Sequence, residues 1–509
     1  PLPPTPRGAL PPAMSVPGAF LVSPYLQLGP APSPTQLALL WQTPETNATW
    51  AVNVYRGGHW KPAGAVTFVK VNVPSEPQHR VYAATLANLA PGARFAYQVT
   101  RDGQVVFQDR GMALKAKGQS QRVAVVGDLV TTSPASQHDF RRLASQMGAA
   151  RPDLLVIPGD IVNMEGHAGQ YRDLFFPAIN ADRGSSAGGS VLRRTVMAAC
   201  LGNNDTDRVF EYRSGRLSFT PQPNGLAYYY YFSQPLNGPA FAVNHDPANA
   251  HKMMTPVLSP RNAFSGFLAA AQDRFPAMAN FSFDSGGAHW TILDSNLYSQ
   301  WAYSHRTLPN HTWSNRTPEA DALVAQLKDW LDKDLAAARG ADWRFVVFHH
   351  PAFNLGHEVG WKYGETWMRQ IWPILEKHRV AMVFTGHLHS YQRSRPLRFT
   401  PKPAGTSDKA HFGDLANLVE DTAFQGQGAA TKADGVIHIV TGAGGANPKD
   451  YPYPPGHPGY AGQAPPKPYP VHLRWRTPCF SQLDIAPGRV DFKQIGMDGA
   501  VLDHFVLTK

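Results

Sequence analysis

The sequence predicts a two-domain α/β protein, in which an all-β sandwich precedes a layered domain of alternating strands and helices. Three observations carry that expectation. Short alternating apolar runs fill residues 20–116, separated by Pro, Gly and Asn. From Arg122 onward, apolar runs end abruptly in polar residues and are interleaved with helical spacing. At 509 residues the chain exceeds what one compact core holds, so the change of pattern reads as a domain boundary.

In the first region "QLALLWQT", "TWAVNVYRGG", "RVYAATLANL" and "RFAYQVTRDGQVVFQDRG" read as strands. Asp102-Gly103 tolerates positive φ at both central turn positions and predicts a tight hairpin. "KAKGQSQ" reads as a polar linker, and the second domain is expected over 121–509. There "RVAVVGD", "DLLVIPGD", "TVMAACLGNND", "HWTILDSN", "WRFVVFHHP", "VAMVFTGHLH" and "GVIHIVTGAGG" each run apolar and then break. Leu323, Leu327, Leu331 and Leu335 recur every fourth residue and predict one face of an amphipathic helix. "GETWMRQIWPILEKHR" predicts a second helix, kinked or interrupted by Pro373. Residues 399–432 and the Pro/Tyr/Gly-rich 447–470 read as insertions, and Tyr228 to Tyr231 as packing or rim residues.

Composition narrows the function classes. Hydrophobic residues at 43% and charged residues at 17% suit a globular chain. No apolar run reaches the roughly 18 residues of a membrane-spanning helix, so no membrane span is expected. A net charge of +10 favours anions in general. Without a basic stripe interleaved with aromatics, nucleic acid is not an expected partner. Cys200 and Cys479 leave open one disulfide or two buried thiols. The Pro-rich start without Met reads as a processed terminus, and a secreted or periplasmic location is the expectation.

Five strand ends deliver groups able to hold a metal: Asp128, Asp160, Asn203, the pair His349–His350, and His387 with His389. Singly, each has an ordinary explanation, as a cap, a turn residue or a hydrogen-bonded core histidine. Together they combine carboxylates, an amide oxygen and imidazoles, a set suited to Fe, Zn or Mn and unlike the thiolates of a structural zinc site. One carboxylate can bridge two ions roughly 3.5–4 Å apart, the clamp used in phosphoryl hydrolysis.

The order Gly-Asp, Gly-Asp, Gly-Asn, His, Gly-His-x-His resembles that of the calcineurin-like metallophosphoesterases. With a β-sandwich in front, and with "LVSPYLQLGP", "ANFSFDSGGAHWTILDSN" and "TGHLHSYQRSRP", the chain is similar to their purple acid phosphatase branch over about residues 20–509. The resemblance implies a fibronectin type III-like sandwich over 20–116, then a four-layer α/β sandwich of two facing sheets flanked by helices. It implies two metal ions, with Asp128 and His389 on the first, Asp160 bridging, and Asn203, His349 and His387 on the second. The implied reaction is hydrolysis of phosphomonoesters by hydroxide held on the metals. The implied partners are phosphorylated small molecules or phosphoproteins, and phosphate itself; the same kind of site also hydrolyses phosphodiesters.

The sequence departs from that branch twice. Where the branch has a tyrosine ligand three residues after the second Asp, Asn163 stands. Asn163 or water is the expected substitute at the first metal, with Tyr171 folding back as the alternative. Where the family has a histidine directly after the ligand Asn, Asn204 stands. An amide can donate a hydrogen bond to phosphate but cannot deliver a proton, so Asn204 is expected to contact substrate without acting as an acid. His357 and His350 are the candidates to supply the proton, and a phosphate-binding variant with impaired turnover is the alternative reading.

Overall fold

The computed structural model describes residues 10–73, 76–163, 166–181, 188–206, 210–213, 216–219, 226–239, 256–258, 261–296, 318–354, 366–402, 416–446 and 472–509. The N-terminal strands are β1 (Met14–Ser15), β2 (Val22–Gln27), β3 (Leu37–Pro44), β4 (Trp50–Arg56), β5 (His59–Pro62), β6 (Val66–Val71), β7 (His79–Leu86), β8 (Arg94–Arg101) and β9 (Gln104–Met112). They form two antiparallel layers, β1-β9-β8-β4-β5 and β2-β3-β7-β6. Alternate side chains meet between the layers, among them Trp41, Trp50, Val52, Tyr97 and Phe107. Trp41 stacks on Tyr82 with ring centroids 5.3 Å apart. The expected hairpin is present: Arg101 pairs with Gln104, and Asp102 (φ 50°) and Gly103 (φ 80°) turn the chain between them. Such an all-β layer pair is what a fibronectin type III-like sandwich requires.

The strands that follow are β10 (Gln121–Val125), β11 (Leu154–Ile157), β12 (Val196–Ala199), β13 (Phe210–Arg213), β14 (Arg216–Phe219), β15 (Pro256–Leu258), β16 (Phe281–Ser285), β17 (Ala288–Ile292), β18 (Trp343–Val347), β19 (Met382–Thr385), β20 (Ser390–Phe399), β21 (Leu418–Glu420), β22 (Val436–Thr441), β23 (His472–Trp475), β24 (Cys479–Ala486), β25 (Arg489–Gly496) and β26 (Val501–Thr508). The parallel run β10-β11-β12 is the centre of one sheet, and β17-β18-β19-β22 is that of the other.

Strand alternation explains the layering. Val123, Val125, Leu154 and Val156 point inward against Trp290, Phe345, Val347 and Phe384 of the facing sheet. Their neighbours Ala124, Val126, Leu155 and Ile157 point outward, onto Phe140, Leu143 and Met147 of the helix Pro134–Ala150. On the other side Val346, Phe348 and Val383 pack against Leu327, Leu331 and Leu335. These three leucines lie on the expected face of the helix Pro318–Ala337; the side chain of Leu323 falls outside the described residues. The order helix, sheet, sheet, helix is the four-layer sandwich. Each fully buried large aliphatic or aromatic side chain contributes about 1.5–3 kcal/mol.

Pro373 does not kink a continuous helix. A 3₁₀ turn over Thr366–Ile371 ends there and a new helix, Trp372–Lys377, begins with the proline in its first turn, where a missing N–H costs nothing. Both cysteines are buried thiols, so the disulfide alternative is not realised. Tyr228 to Tyr231 are all buried and pack in the outer core. β2 pairs with β12 through Met197 and Gln27, so the first sheet runs on from the second domain into the N-terminal strands. No helix among the described residues is long and apolar enough to cross a membrane.

Candidate metal centre

The polar breaks after β10, β11, β12, β18 and β19 fall at the carboxyl ends of parallel strands, where an α/β sheet gathers its ligands. The loops lock onto one another through the backbone: Asp128 N donates to Gly159 O at 3.1 Å, Leu129 N to Asp160 O at 3.0 Å, and Gly386 N to His349 O at 3.0 Å. Asp128, Asp160 and His387 all have positive φ (56°, 49° and 69°). This conformation costs a non-glycine residue roughly 1–2 kcal/mol, and it sits where three candidate ligands must be aimed. Gly202 admits the bridging loop, because a Cβ there would overlap the Asp160 carboxylate and backbone. At Gly386 a Cβ would lie 2.5 Å from Asp128 Oδ2.

Around Asn203 the side chains converge closely. Asn203 Oδ1 lies 3.0 Å from His349 Nε2 and 2.9 Å from His387 Nδ1. His349 Nε2 is also 3.3 Å from Asp160 Oδ1. On the other side, His389 Nε2 is 3.3 Å from Asp128 Oδ1, and His387 N donates to Asp128 Oδ2 at 2.8 Å. Single ligand atoms of Asp128, Asp160 and His349, all buried, lie within 4.8 Å of one another. Six of the expected metal ligands therefore meet in one place. Asn163 is half-buried, three residues beyond Asp160. Tyr171 does not fold back as a ligand here: it is fully buried and its hydroxyl donates to Asp205 Oδ1 at 2.9 Å.

Two observations bear on whether a cation fits. Asp128 Oδ1 is buried without a hydrogen bond, an arrangement that costs about 1–3 kcal/mol or more for a charged group unless a cation sits against it. His349 Nδ1 donates to Pro158 O at 2.9 Å, so its Nε2 lone pair faces the oxygens of Asn203 and Asp160. An acceptor facing acceptors is repulsive until a cation or a second proton lies between them. Burial disfavours charge on His349, but the Asp160 carboxylate outweighs it and raises the pKa. Burial pushes against ionisation of Asp160 as well, yet His349 and the Asn204 hydrogen bond hold its carboxyl well below the usual range. The donor set and the bare oxygen fit metal ions.

Asn204 lies against one of the expected ligands. Its backbone N–H donates to Asp160 Oδ1 at 2.8 Å and its side-chain amide to Asp160 Oδ2 at 2.6 Å. One amide N–H is thus directed at the carboxylate expected to bridge. His350 stands beside the ligands, its ring centroid 4.7 Å from that of His387. Ser295 Oγ accepts the His350 N–H at 3.1 Å and lies 2.8 Å from its Nδ1. Ser295 thus holds the His350 ring and its backbone N–H through one hydroxyl. His357 lies outside the described residues.

The sequence reading missed Asp205. It is fully buried and accepts from Gly202 N at 2.9 Å, Ile161 N at 3.2 Å, Val162 N at 3.4 Å and Tyr171. One carboxylate thereby ties the loop carrying Asp160 to the loop carrying Asn203. Burial and the neighbouring Asp160 push its pKa up to about 7. Asn296 is a second such group, donating to Gly202 O at 3.1 Å. The only signal for either was proximity to a motif, Asp205 directly after the paired asparagines and Asn296 within "LDSN".

A model of the calcineurin-like phosphoesterases matches residues 121–391. More than half of the chain lies in that match, and the chain belongs to this family of metal-dependent phosphoesterases. Parts of the chain are similar to purple acid phosphatases. Purple acid phosphatase 21 of Arabidopsis thaliana is 28% identical over 133 residues, which cover 25% of this chain and 29% of that protein. A Mycobacterium tuberculosis protein described only as uncharacterised is 31% identical over 134 residues, 23% of this chain and 20% of its own. The matches thus span less than a third of either relative. Among solved structures, purple acid phosphatase PPD1 from yellow lupin (Lupinus luteus) superposes with a TM-score of 0.61 at 15% identity, covering 96% of this chain and 75% of that one. PhoD gives 0.53 at 9% identity over 98% of this chain and 90% of its own. At these identities the likeness is one of fold.

Proposed function

We propose that the chain is a dinuclear metal-dependent phosphatase acting on phosphomonoesters. The observation that carries this reading is the convergence of Asp128, Asp160, Asn203, His349, His387 and His389, with Asp128 Oδ1 buried and bare. Asp128 and His389 would hold one ion, Asn203, His349 and His387 the other, and Asp160 both; Asn163 would complete the first. When bound, Fe, Zn or Mn would activate water and neutralise the charge that develops on the phosphoryl group.

The chain's own residues do the rest. Pro158 O fixes the His349 tautomer so that Nε2 faces inward. Asn204 holds both oxygens of Asp160 in register. His350, oriented by Ser295, is the candidate to give a proton to the leaving oxygen. A second reading, a phosphate-binding protein with little turnover, is favoured by the commitment of the Asn204 amide to Asp160.

Asn204→His separates the two. Restored acid catalysis is worth about a hundred- to ten-thousand-fold and matters for an alkoxide leaving group far more than for nitrophenolate. Alkyl phosphate hydrolysis should rise within that range if position 204 is where a proton is lacking, with nitrophenyl phosphate nearly unchanged and metal content constant. Wild-type hydrolysis of alkyl phosphates at a rate the variant does not improve assigns the proton to another group. No hydrolysis of monoesters by either metal-loaded protein would refute the phosphatase reading, and faster cleavage of bis-nitrophenyl phosphate would move it to diesters.

A further inference from the structure

The charge of +10 is not absorbed by the metal centre, and one region concentrates it. At the starts of β18, β19 and β22, opposite the ends that lead to His349 and His387, lies a cavity of about 910 Å³. It opens between these strand starts and the C-terminal ends of the helices Pro318–Ala337 and Trp372–Lys377. Seven Lys and Arg residues line it against three carboxylates. Those carboxylates are already engaged. Asp342 pairs with Lys509 at 2.8 Å and Asp434 with Arg398 at 3.4 Å, while Glu376 accepts from Phe399 N at 2.6 Å. Arg339, Arg344, Arg379 and Lys432 are left without a carboxylate partner among the described residues.

Arg344 is the most informative of the four. It is half-buried, and its Nε is buried with no hydrogen-bond partner. Burial and the charge of Arg379 both pull its pKa below the ordinary guanidinium value. The ordinary explanation for cations here is the negative end of a helix, worth about half an elementary charge. Lys377 is matched by Asp332 at 2.8 Å, outside the cavity lining; the four remaining cations still exceed what two such ends and Glu376 offset, and a helix dipole does not account for a buried Nε left bare.

We propose that this cavity is a second anion site, independent of the metal centre, that takes a small phosphate-bearing anion. Its volume lies within the range of roughly 300–1,000 Å³ usual for small-molecule sites. Guanidinium forks match the geometry of tetrahedral oxyanions. A protein partner is disfavoured because none of the exposed large hydrophobics (Met14, Val16, Leu21, Phe68, Val419, Val501) lines the cavity to act as an anchor.

The test is calorimetric titration of the metal-loaded full chain with inorganic phosphate. Two classes of site are expected. Arg344→Gln with Arg379→Gln should weaken one class by roughly tenfold or more, leaving metal content and hydrolysis unchanged. Asp160→Asn, which breaks the metal centre, should remove the other class and leave this one. Exposed Lys432→Gln, which carries little risk to folding, should weaken the same class by a few-fold. The proposal is overturned if Asp160→Asn abolishes all phosphate binding, or if the arginine and lysine variants leave the isotherm unchanged. Tighter binding of a poly-glutamate peptide than of phosphate would overturn the small-anion assignment.

Discussion

The two halves of the proposed metal centre are unequally built. Around Asn203, one amide oxygen is approached by two imidazoles at 2.9 and 3.0 Å. His349 is pinned from behind by Pro158, and Asp205 fixes both neighbouring loops. Around Asp128, one imidazole stands at 3.3 Å from a bare carboxylate oxygen, and the next candidate, Asn163, is a neutral amide. The groups that orient the ligands change how firmly a metal is held, and a neutral amide is a weak fourth ligand. The Asn203 half is therefore expected to bind tightly and the Asp128 half weakly.

The largest effect should come from the residue common to both halves. Asp160→Asn is expected to abolish stoichiometric binding of either ion, measured by metal analysis after gel filtration; retention of one tight ion would show that Asp160 belongs to one half only. Next, Asp205→Asn removes an acceptor from Gly202 N and Ile161 N and should weaken metal binding at the Asn203 half about 10- to 100-fold, read by competition with a chelator. Equal weakening at both halves would break the comparison. Tyr171→Phe deletes one hydrogen bond to Asp205 and should cost only a few-fold at the same half. The smallest signal is optical. Tyr171 spends its hydroxyl on Asp205, and no tyrosine occupies position 163, so the iron-loaded protein should lack a strong phenolate-to-iron visible band. A purple solution that loses its colour in Tyr171→Phe would show that the tyrosine reaches the metal.

Much of this was legible in the sequence because it rests on local pattern. Strands that alternate across two cores, such as Val123 to Val126, show their layering in the order of residues, and the breaks after them name the candidate ligand positions that the fold brings together. Asp102-Gly103 carried its hairpin for the same reason. What was hidden depends on distant partners. Asp205 gains its role from Ile161 and Tyr171, 44 and 34 residues away. Ser295 holds the His350 ring from 55 residues away. The direction of the Asn204 amide is a rotamer choice, and nothing in "LGNND" states that it turns to Asp160. The joining of β2 to β12 likewise depends on a pairing that spans 170 residues of chain.

The most direct test is calorimetric titration of Zn or Mn into the metal-free protein, followed by the same titration of His349→Ala and His389→Ala. Two steps of unequal affinity are expected for the wild type. His349→Ala should remove the tighter step and His389→Ala the weaker one. A single step that accepts one ion, or two steps of equal affinity lost together in both variants, would contradict an unequal dinuclear centre.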